Sequence, residues 1–396
     1  MPSRREVLAT GLAMGVLGRR AWAQVLPEGT VASSVMDALP GKRPLIKRAF
    51  RPPNYETPVN LFDQLYTPND AFFVRWHLAD IPTVDPGKWR LKVGGDGAER
   101  AGEFTLDQLK RSFEVIEIAA VCQCSGNRRG FSQPHVAGVE WGYGAMGNAK
   151  WRGVRFKDVL DRMGLRKEAV EVALNGSDAG VVEKTPDFIK SIPVWKALDP
   201  DTLIAFEMNG EPLPHWNGAP ARLVVPGWTA TYWVKQLANV EVRTQPFDGF
   251  WMAKAYRIPR TEFPVVQRFT TQEAADSTPI TEMMVNSVIT NLQEGQKVAA
   301  GKPVSVQGVA WDGGYGIRSV EVSSDGGKTW VPADLGPDIG RYAWRQWRYE
   351  FKPAQGSLTV MARASNRLGQ TQTAEALWNA AGYHHNVMQK ITVQVG

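Results

Sequence analysis

The stretch FEVIEIAAVCQCSGNRRGF, residues 113–131, sets an apolar segment directly before a loop with two cysteines and two arginines. Its first nine residues are mostly apolar and rich in β-branched side chains, which predicts a buried strand that ends near Val121. The cysteine-containing loop therefore leaves the carboxyl end of a buried strand.

The loop combines residue types that suit a metal or a bulky cofactor next to an anion. A thiolate at Cys124 is a soft, strongly donating ligand, and the small and polar run 125–127 lets a ligand approach the backbone closely. Arg128 and Arg129 add cationic groups with several donors, which suit a phosphate or an oxyanion. The alternative is a buried free cysteine followed by two surface arginines.

The sequence around this loop mixes helical and strand patterns. The segment TLDQLKRSF opens with the Thr105/Gln108 spacing of a capping box, which predicts the start of a helix. The segment RFKDVLDRMGL predicts a short amphipathic helix that stops at Gly164. The segments KWRLKVGG, VEVALNG and ARLVVPG predict strands.

From about residue 270 the pattern changes to short alternating strands separated by turn signals, as in KPVSVQGVAWD, RQWRYEFKP and GSLTVMARASNRLGQ. This pattern favours an antiparallel immunoglobulin-like sandwich. A length of 396 residues also favours two domains. We therefore predict an α+β protein, with a mixed α/β domain over residues 24–269 and an all-β immunoglobulin-like domain over residues 270–396.

The amino terminus predicts export. Paired Arg4 and Arg5 precede an apolar run from Val7 to Leu17 and the small-x-small site 21–23. These features indicate a twin-arginine signal over residues 1–23, which exports folded proteins and thereby suggests a cofactor inserted before export. We expect a periplasmic protein with no membrane segment after signal cleavage.

Charge and cysteine usage exclude several other classes. Without residues 1–23 the chain keeps 42 basic and 39 acidic residues, which gives no footprint for nucleic-acid binding. Cys122 and Cys124 are the only cysteines, and a disulfide between them would close a small, strained ring. No Cys-x-x-Cys-His motif is present, so we expect no covalent haem in this chain, and the histidines lack zinc-site spacing.

Several stretches resemble one known family in the same order along the chain. CSGNRR resembles the cysteine motif of the sulfite oxidase family of molybdenum enzymes. The other matching stretches are FFVRWHL (72–78), GVEWGYGA (138–145), SIPVWKALDPDTLIAFEMNGEPLP (191–214), GAPARLVVPGWTATYWVKQL (218–237) and WMAKAYR (251–257). The predicted signal and the missing haem motif point within that family to the catalytic subunit of periplasmic bacterial sulfite dehydrogenases.

The resemblance implies a molybdenum centre with a substrate pocket for an anion. Cys124 would ligate molybdenum through its thiolate, and a molybdopterin dithiolene would complete the site. Arg75 and Arg129 match the cationic anion pocket, Trp141 its wall, and Tyr256 the active-site tyrosine. Two guanidinium groups and a phenol supply charge-assisted and neutral hydrogen bonds to an oxyanion.

The resemblance also implies residues that hold the pterin and its phosphate: His77, Asp178, Arg222 and Lys235. At Asn217 eukaryotic members have a histidine that contacts the pterin, so this contact differs here. Near the carboxyl terminus the family often has a substrate-pocket arginine, for which Lys390 is the best match. A lysine keeps the charge of an arginine but loses its bidentate fork.

The function implied by the resemblance is molybdenum-dependent oxidation of sulfite to sulfate. Electrons would leave singly to a c-type cytochrome, either a subunit or a diffusing acceptor. A homodimer is a fair expectation for the second domain, although a cytochrome could occupy the same surface. Two alternatives stay open: a sulfoxide or nitrate reductase on the same scaffold, and a non-catalytic binding or assembly protein.

Overall fold

The computed structural model describes residues 35–260 and 271–396. The predicted export signal, residues 1–23, lies outside the described residues, and so does the predicted domain boundary at residue 269. Both therefore stay predictions.

Residues 35–260 form strands joined by long irregular segments and a few short helices. The α-helices are Leu106–Ser112, Phe156–Met163, Val194–Ala197 and Phe250–Ala253. The strands are β1 (Met36–Asp37), β2 (Leu45–Ala49), β3 (Asn54–Glu56), β4 (Val74–Arg75), β5 (Leu91–Gly94), β6 (Gly102–Phe104), β7 (Val115–Gln123), β8 (Met146–Arg155), β9 (Glu171–Asn175), β10 (Lys190–Pro193), β11 (Leu203–Met208), β12 (Glu211–Pro212), β13 (Arg222–Val224), β14 (Asn239–Arg243) and β15 (Arg257–Pro259).

Three sheets build this part of the protein. Strands β1 to β4 form one antiparallel sheet in sequence order. A second sheet has the order β10-β9-β14-β5-β6, in which β14 and β5 pair in parallel. A third has the order β12-β11-β8-β7, with β13 also paired to β11. The largest group of buried apolar side chains comes from the second and third sheets together, so they share one core.

Two local predictions from the sequence are confirmed in this domain. Thr105 and Gln108 form a reciprocal capping box at the start of the helix Leu106–Ser112. The helix Phe156–Met163 ends at Gly164, whose φ of 73° lies in the left-handed region that glycine adopts at little cost.

Residues 271–396 form β16 (Ser277–Pro279), β17 (Asn286–Ile289), β18 (Lys297–Val298), β19 (Val304–Trp311), β20 (Ile317–Ser323), β21 (Val331–Pro332), β22 (Asp334–Leu335), β23 (Arg345–Phe351), β24 (Gly356–Asn366) and β25 (Gln389–Val395). Two sheets, β17-β19-β23-β22 and β18-β25-β24-β20-β21, enclose a common apolar core. The short strand β16 pairs instead with β15 of the first domain. The predicted α+β class, with a β-sandwich after a mixed domain, is confirmed.

The two domains share a packed junction beside the end of β7. Val121 and Met146 of the first domain join Val288 and Trp311 of the second in one buried apolar group. The indole Nε1 of Trp311 donates a hydrogen bond to Oε1 of Gln123 at 2.6 Å. The cysteine loop therefore begins at the domain junction. None of the helices described for this chain is long and apolar enough to cross a membrane.

Candidate active site

A cavity of about 640 Å³, its open mouth included, lies between the cysteine loop and segments after β4, β9 and β13. Its wall contains eight of the residues predicted for the site: Arg75, His77, Cys124, Asp178, Asn217, Arg222, Lys235 and Tyr256. These residues lie between positions 75 and 256 of the sequence, and the fold brings them to one place.

Cys124 reaches the cavity because β7 ends one residue earlier. Its backbone N–H donates to the carbonyl of Ala145 at 2.9 Å, and its own carbonyl accepts from Asn127 at 3.0 Å, so both sides of the loop are fixed. Both cysteines are free and buried, and no disulfide joins them. The Cys124 thiol is thus a soft donor held in a fixed position at the cavity wall.

Cys122 also lines the cavity, but in a different setting. Burial raises the pKa of its thiol to about 11. Its Sγ lies 4.0 Å from Nη2 of Arg222, which can donate to it. The thiol is therefore protonated at neutral pH.

A second group at the cavity joins Arg75, His77 and Tyr256. Nη1 of Arg75 donates to Oδ1 of Asn54 at 3.0 Å and to the carbonyl of Trp76, which orients its guanidinium. Nε2 of His77 is hydrogen-bonded to the hydroxyl of Tyr256. Tyr256 has a φ of 60°, a strained value for a side chain of this size, and the surrounding contacts hold it there.

His77 is electrically neutral at physiological pH. Burial is the main reason that its pKa lies well below the ordinary value, and the positive charges of Arg75, Lys235 and Lys190 lower it further. Its ring stacks on Phe188 with centroids 3.6 Å apart and planes 11° apart. In the neutral tautomer protonated at Nε2, the His77 imidazole donates to the Tyr256 oxygen, so it fixes the position of this oxygen and leaves the phenolic O–H free to donate.

Arg129 lies beside this group rather than on the cavity wall. Its Nε donates to the carbonyl of Ala381 at 2.7 Å, and its Nη1 lies 3.4 Å from the carbonyl of Val139. A Cβ added to Gly126 would lie 2.8 Å from its Cζ, so the guanidinium rests against the cysteine loop. Its charge is near enough to lower the pKa of Tyr256, although burial dominates and raises that pKa.

The opposite end of the cavity is cationic. Nη1 and Nη2 of Arg222 donate to the carbonyls of Asn217 and Trp233 at 2.9 Å each, and its buried Nε has no partner among the described residues. Burial lowers the pKa of Lys235 to about 7, and its Nζ lies over the Trp76 ring at 4.5 Å from the centroid. A phosphate here would accept hydrogen bonds from Nε of Arg222 and from Nζ of Lys235.

Two further groups in this part of the cavity have open hydrogen-bonding capacity. Oγ1 of Thr231 is buried and has no hydrogen-bond partner in residues 35–260 or 271–396. Burial raises the pKa of Asp178 to about 6, while the Lys235 charge opposes the rise. An acceptor beside unsatisfied donors fits a polar, anionic ligand such as a pterin with its phosphate.

Three predicted site residues either lie outside the cavity or have their side chains hydrogen-bonded to other protein groups. Lys390 is exposed on β25, where it pairs with Met361 of β24 and points away from the sandwich core, so its prediction as a substrate-pocket residue is corrected. Trp141 is fully buried in the core of the first domain and does not line the cavity. Asn217 does line it, but its Oδ1 accepts from Nζ of Lys42 at 2.6 Å and its Nδ2 donates to Phe73.

The structure adds two residues that the sequence did not reveal. Lys190 is buried, donates to the carbonyl of Trp251 at 2.6 Å, and places its Nζ 5.1 Å from the centroid of the Tyr256 ring. Tyr383, from the second domain, stacks on Tyr256. Neither lies in a motif, and only the tertiary contacts between distant segments identify them.

The fold and the site define a molybdopterin-binding oxidoreductase. Residues 77–251 match the oxidoreductase molybdopterin binding domain family, and residues 277–396 match the Mo-co oxidoreductase dimerisation domain family.

The chain belongs to the sulfite oxidase family. It is 35% identical over 394 residues to mitochondrial sulfite oxidase of Homo sapiens, covering 93% of this chain and 70% of that protein. It is 31% identical to sulfite oxidase of Arabidopsis thaliana, covering 90% of this chain and 96% of that one. For the mitochondrial enzyme of Rattus norvegicus the identity is 35%, covering 87% of this chain and 64% of the relative.

Among solved structures, the sulfane dehydrogenase SoxCD from Paracoccus pantotrophus has the same fold, with a TM-score of 0.72, 24% identity and coverage of 87% of each chain. The cofactor of this chain is molybdenum–molybdopterin. The cavity suits it, with one soft thiolate donor at Cys124 and unsatisfied donors at Arg222 and Thr231.

Proposed function

We propose that this protein oxidises sulfite to sulfate in the periplasm and passes the electrons singly to a c-type cytochrome. The observation that carries the proposal is the placing of Arg75, His77 and Tyr256 in one cavity with the Cys124 thiol. A cationic, hydrogen-bonding pocket beside a soft metal ligand suits a small oxyanion that is oxidised at the metal. The sulfite oxidase relatives support the choice of sulfite.

When bound, the molybdenum–molybdopterin group supplies the two-electron redox change that protein side chains cannot provide. Cys124 holds the metal end of the group, while Arg222 and Lys235 bind its phosphate. Asp178 accepts hydrogen bonds from pterin nitrogens.

The opposite side of the cavity binds the substrate anion. The Arg75 guanidinium binds sulfite by charge-assisted hydrogen bonds, and Arg129 adds positive charge beside it. The Tyr256 hydroxyl donates to the anion or to the oxygen that it gains, in an orientation fixed by neutral His77.

The direct test is the exported holoprotein, assayed for molybdenum content and for sulfite-dependent reduction of cytochrome c. Cys124→Ser removes the soft donor, so we expect it to lose both the metal and the activity. Cys122→Ser, a matched loss of a buried thiol two residues away, is expected to retain the metal. Near-stoichiometric molybdenum without sulfite turnover would contradict the proposal.

The reductase alternative is tested with the same protein preparation. The chain is 30% identical to a nitrate reductase of Hordeum vulgare, although it spans only 39% of that protein. Reduced enzyme is mixed with nitrate or a sulfoxide, and reoxidation is followed by its absorbance. We expect neither substrate to reoxidise the enzyme faster than the buffer alone.

We also propose twin-arginine export and a homodimer formed through the second domain, the part that matches the dimerisation family. Arg4→Lys with Arg5→Lys is expected to leave the full-length protein in the cytoplasmic fraction. Analytical ultracentrifugation of the mature protein at micromolar concentration is expected to show twice the monomer mass. A monomer at that concentration would overturn the homodimer.

A further inference from the structure

Tyr383 connects the second domain to the anion site. Its ring stacks on Tyr256 with centroids 5.6 Å apart and planes only 10° apart. The Cζ atom of Arg129 lies over the same ring at 5.1 Å from its centroid. Tyr256 and Arg129, which are not hydrogen-bonded to each other, therefore both contact the ring of Tyr383.

The turn that presents Tyr383 is held firmly. Oδ1 of Asn379 accepts from the backbone N–H groups of Ala381 at 3.2 Å and Tyr383 at 3.1 Å, and its Nδ2 donates to the carbonyl of Tyr383 at 2.8 Å. The Ala381 carbonyl receives Nε of Arg129. A Cβ on Gly382 would lie 2.7 Å from Cγ of Arg129, so the turn is shaped to fit that side chain.

The Tyr383 hydroxyl is available to a ligand. The hydrogen bonds of Tyr383 within the described chain use its backbone and leave the phenol without a partner. The side chain is nearly fully buried, with 4% of the residue exposed. Because no described residue takes up its O–H, the phenol can donate a hydrogen bond to water or to a ligand.

The Tyr383 hydroxyl lies in the electrostatic surroundings of the anion site. Burial raises the pKa of Tyr383, so the phenol remains a protonated donor. The charges that further influence this pKa come from Tyr256, Arg129, Cys124 and Arg75. Three of the same groups, Arg75, Cys124 and Arg129, influence the pKa of Tyr256. The two phenols therefore lie in one electrostatic environment.

We propose that Tyr383 is a substrate-binding residue supplied by the second domain, whose hydroxyl donates a hydrogen bond to the oxyanion held by Arg75 and Arg129. This inference rests on the proposed function for the identity of the anion. It gives the second domain a part in the chemistry of the first.

Tyr383→Phe tests the hydroxyl alone, because phenylalanine preserves the stack. A hydrogen bond to a charged ligand is strong enough for its loss to weaken binding about tenfold or more. We expect the KM for sulfite and the dissociation constant of sulfate to rise together by that factor, with kcat changed less than about twofold. Molybdenum content should match the wild type, and Tyr349→Phe in the sandwich serves as the control.

Sulfate separates the two proposals, because it is redox-inert and its binding to the holoprotein can be followed by calorimetry without turnover. Equal sulfate affinity in wild type and Tyr383→Phe overturns the role of the hydroxyl and leaves the proposed function intact. Weaker sulfate binding in the variant, with no sulfite turnover by either protein, supports the hydroxyl and contradicts the proposed function. Wild type that binds no sulfate overturns the inference.

Tyr383→Leu removes the ring as well. We expect it to lower kcat in addition to raising KM, because Tyr256 and Arg129 both lose their shared contact. A Leu variant with the kinetics of the Phe variant would show that the stack does not position the site.

Discussion

Arg128 and Arg129 are neighbours in sequence, yet their guanidinium groups serve different parts of the molecule. Nη2 of Arg128 donates to the carbonyl of Ser287 at 2.6 Å and its Nη1 to that of Val387 at 2.9 Å, both in the second domain. Arg129 turns towards Tyr383 and the site. Two consecutive arginines thus contact different regions: Arg128 binds the domain junction and Arg129 lies at the anion pocket.

Arg128 is therefore expected to matter for stability. Arg128→Lys keeps the charge but cannot reach both carbonyls with one ammonium, which leaves a buried acceptor unpaired. We expect the free energy of unfolding to fall by about 2 kcal/mol, measured by denaturant unfolding. Arg152→Lys, at a half-exposed salt bridge to Glu207, is the control and should change it by less than about 0.5 kcal/mol. Equal effects in the two variants would contradict the role of Arg128 at the junction.

Gly126 leaves room for the Arg129 guanidinium. An alanine there would place its Cβ 2.8 Å from Cζ and Nη2 of Arg129, too close for the present position. Gly126→Ala should displace the guanidinium and lower kcat/KM for sulfite by about tenfold or more, at unchanged molybdenum content. Gly87→Ala, where the added Cβ meets only Oδ1 of Asp85 at 3.4 Å, is the control. Unchanged kcat/KM in Gly126→Ala would show that Arg129 does not act on the substrate.

Much of this site was predictable from sequence because ordered motifs resemble one family, and the family's site residues could be carried over to matching positions. Residue chemistry alone indicated a soft metal ligand at Cys124 beside an arginine pair, whereas Arg75 and Tyr256 were implied by the resemblance. The cavity contains Cys124, Arg75 and Tyr256. The helix signals at Thr105 and Gly164 are local, so they too could be identified in advance.

What the sequence could not provide depends on contacts between distant segments. Lys390 is the best sequence match to a substrate-pocket arginine of the family, but strand alternation in β25 points it outward. Tyr383 contributes instead, from an irregular turn whose position is set by the Asn379 side chain and by Arg129. No periodic pattern in the sequence indicates which way the side chains of Lys390 and Tyr383 point.

Tyr256→Phe removes the hydrogen bond to His77 and the donor for the anion while keeping the stack on Tyr383. Loss of one preorganised donor typically reduces kcat by about 10²-fold or more, so we expect a fall of that order in steady-state sulfite oxidation. Tyr66→Phe, remote from the cavity, should retain wild-type kcat. A Tyr256→Phe enzyme with wild-type kcat would remove the phenol from the mechanism.

His384 is predicted to govern part of the acid stability. Burial lowers its pKa to about 4, against about 6.5 for an unfolded chain. Between these values the unfolded state binds more protons, so the stabilising contribution is complete above pH 6.5 and is lost as the pH falls towards 4.

His384→Asn removes this titration, and asparagine accepts the residue's left-handed φ of 57°. Between pH 7 and pH 4 we expect the wild type to lose about 3 kcal/mol more of its unfolding free energy than the variant does, measured by denaturant titration at each pH. His135→Asn, a half-exposed histidine paired with Glu140, is the matched control and should follow the wild-type curve closely. Parallel curves for wild type and His384→Asn would show that the His384 imidazole has the same pKa in the folded and unfolded states.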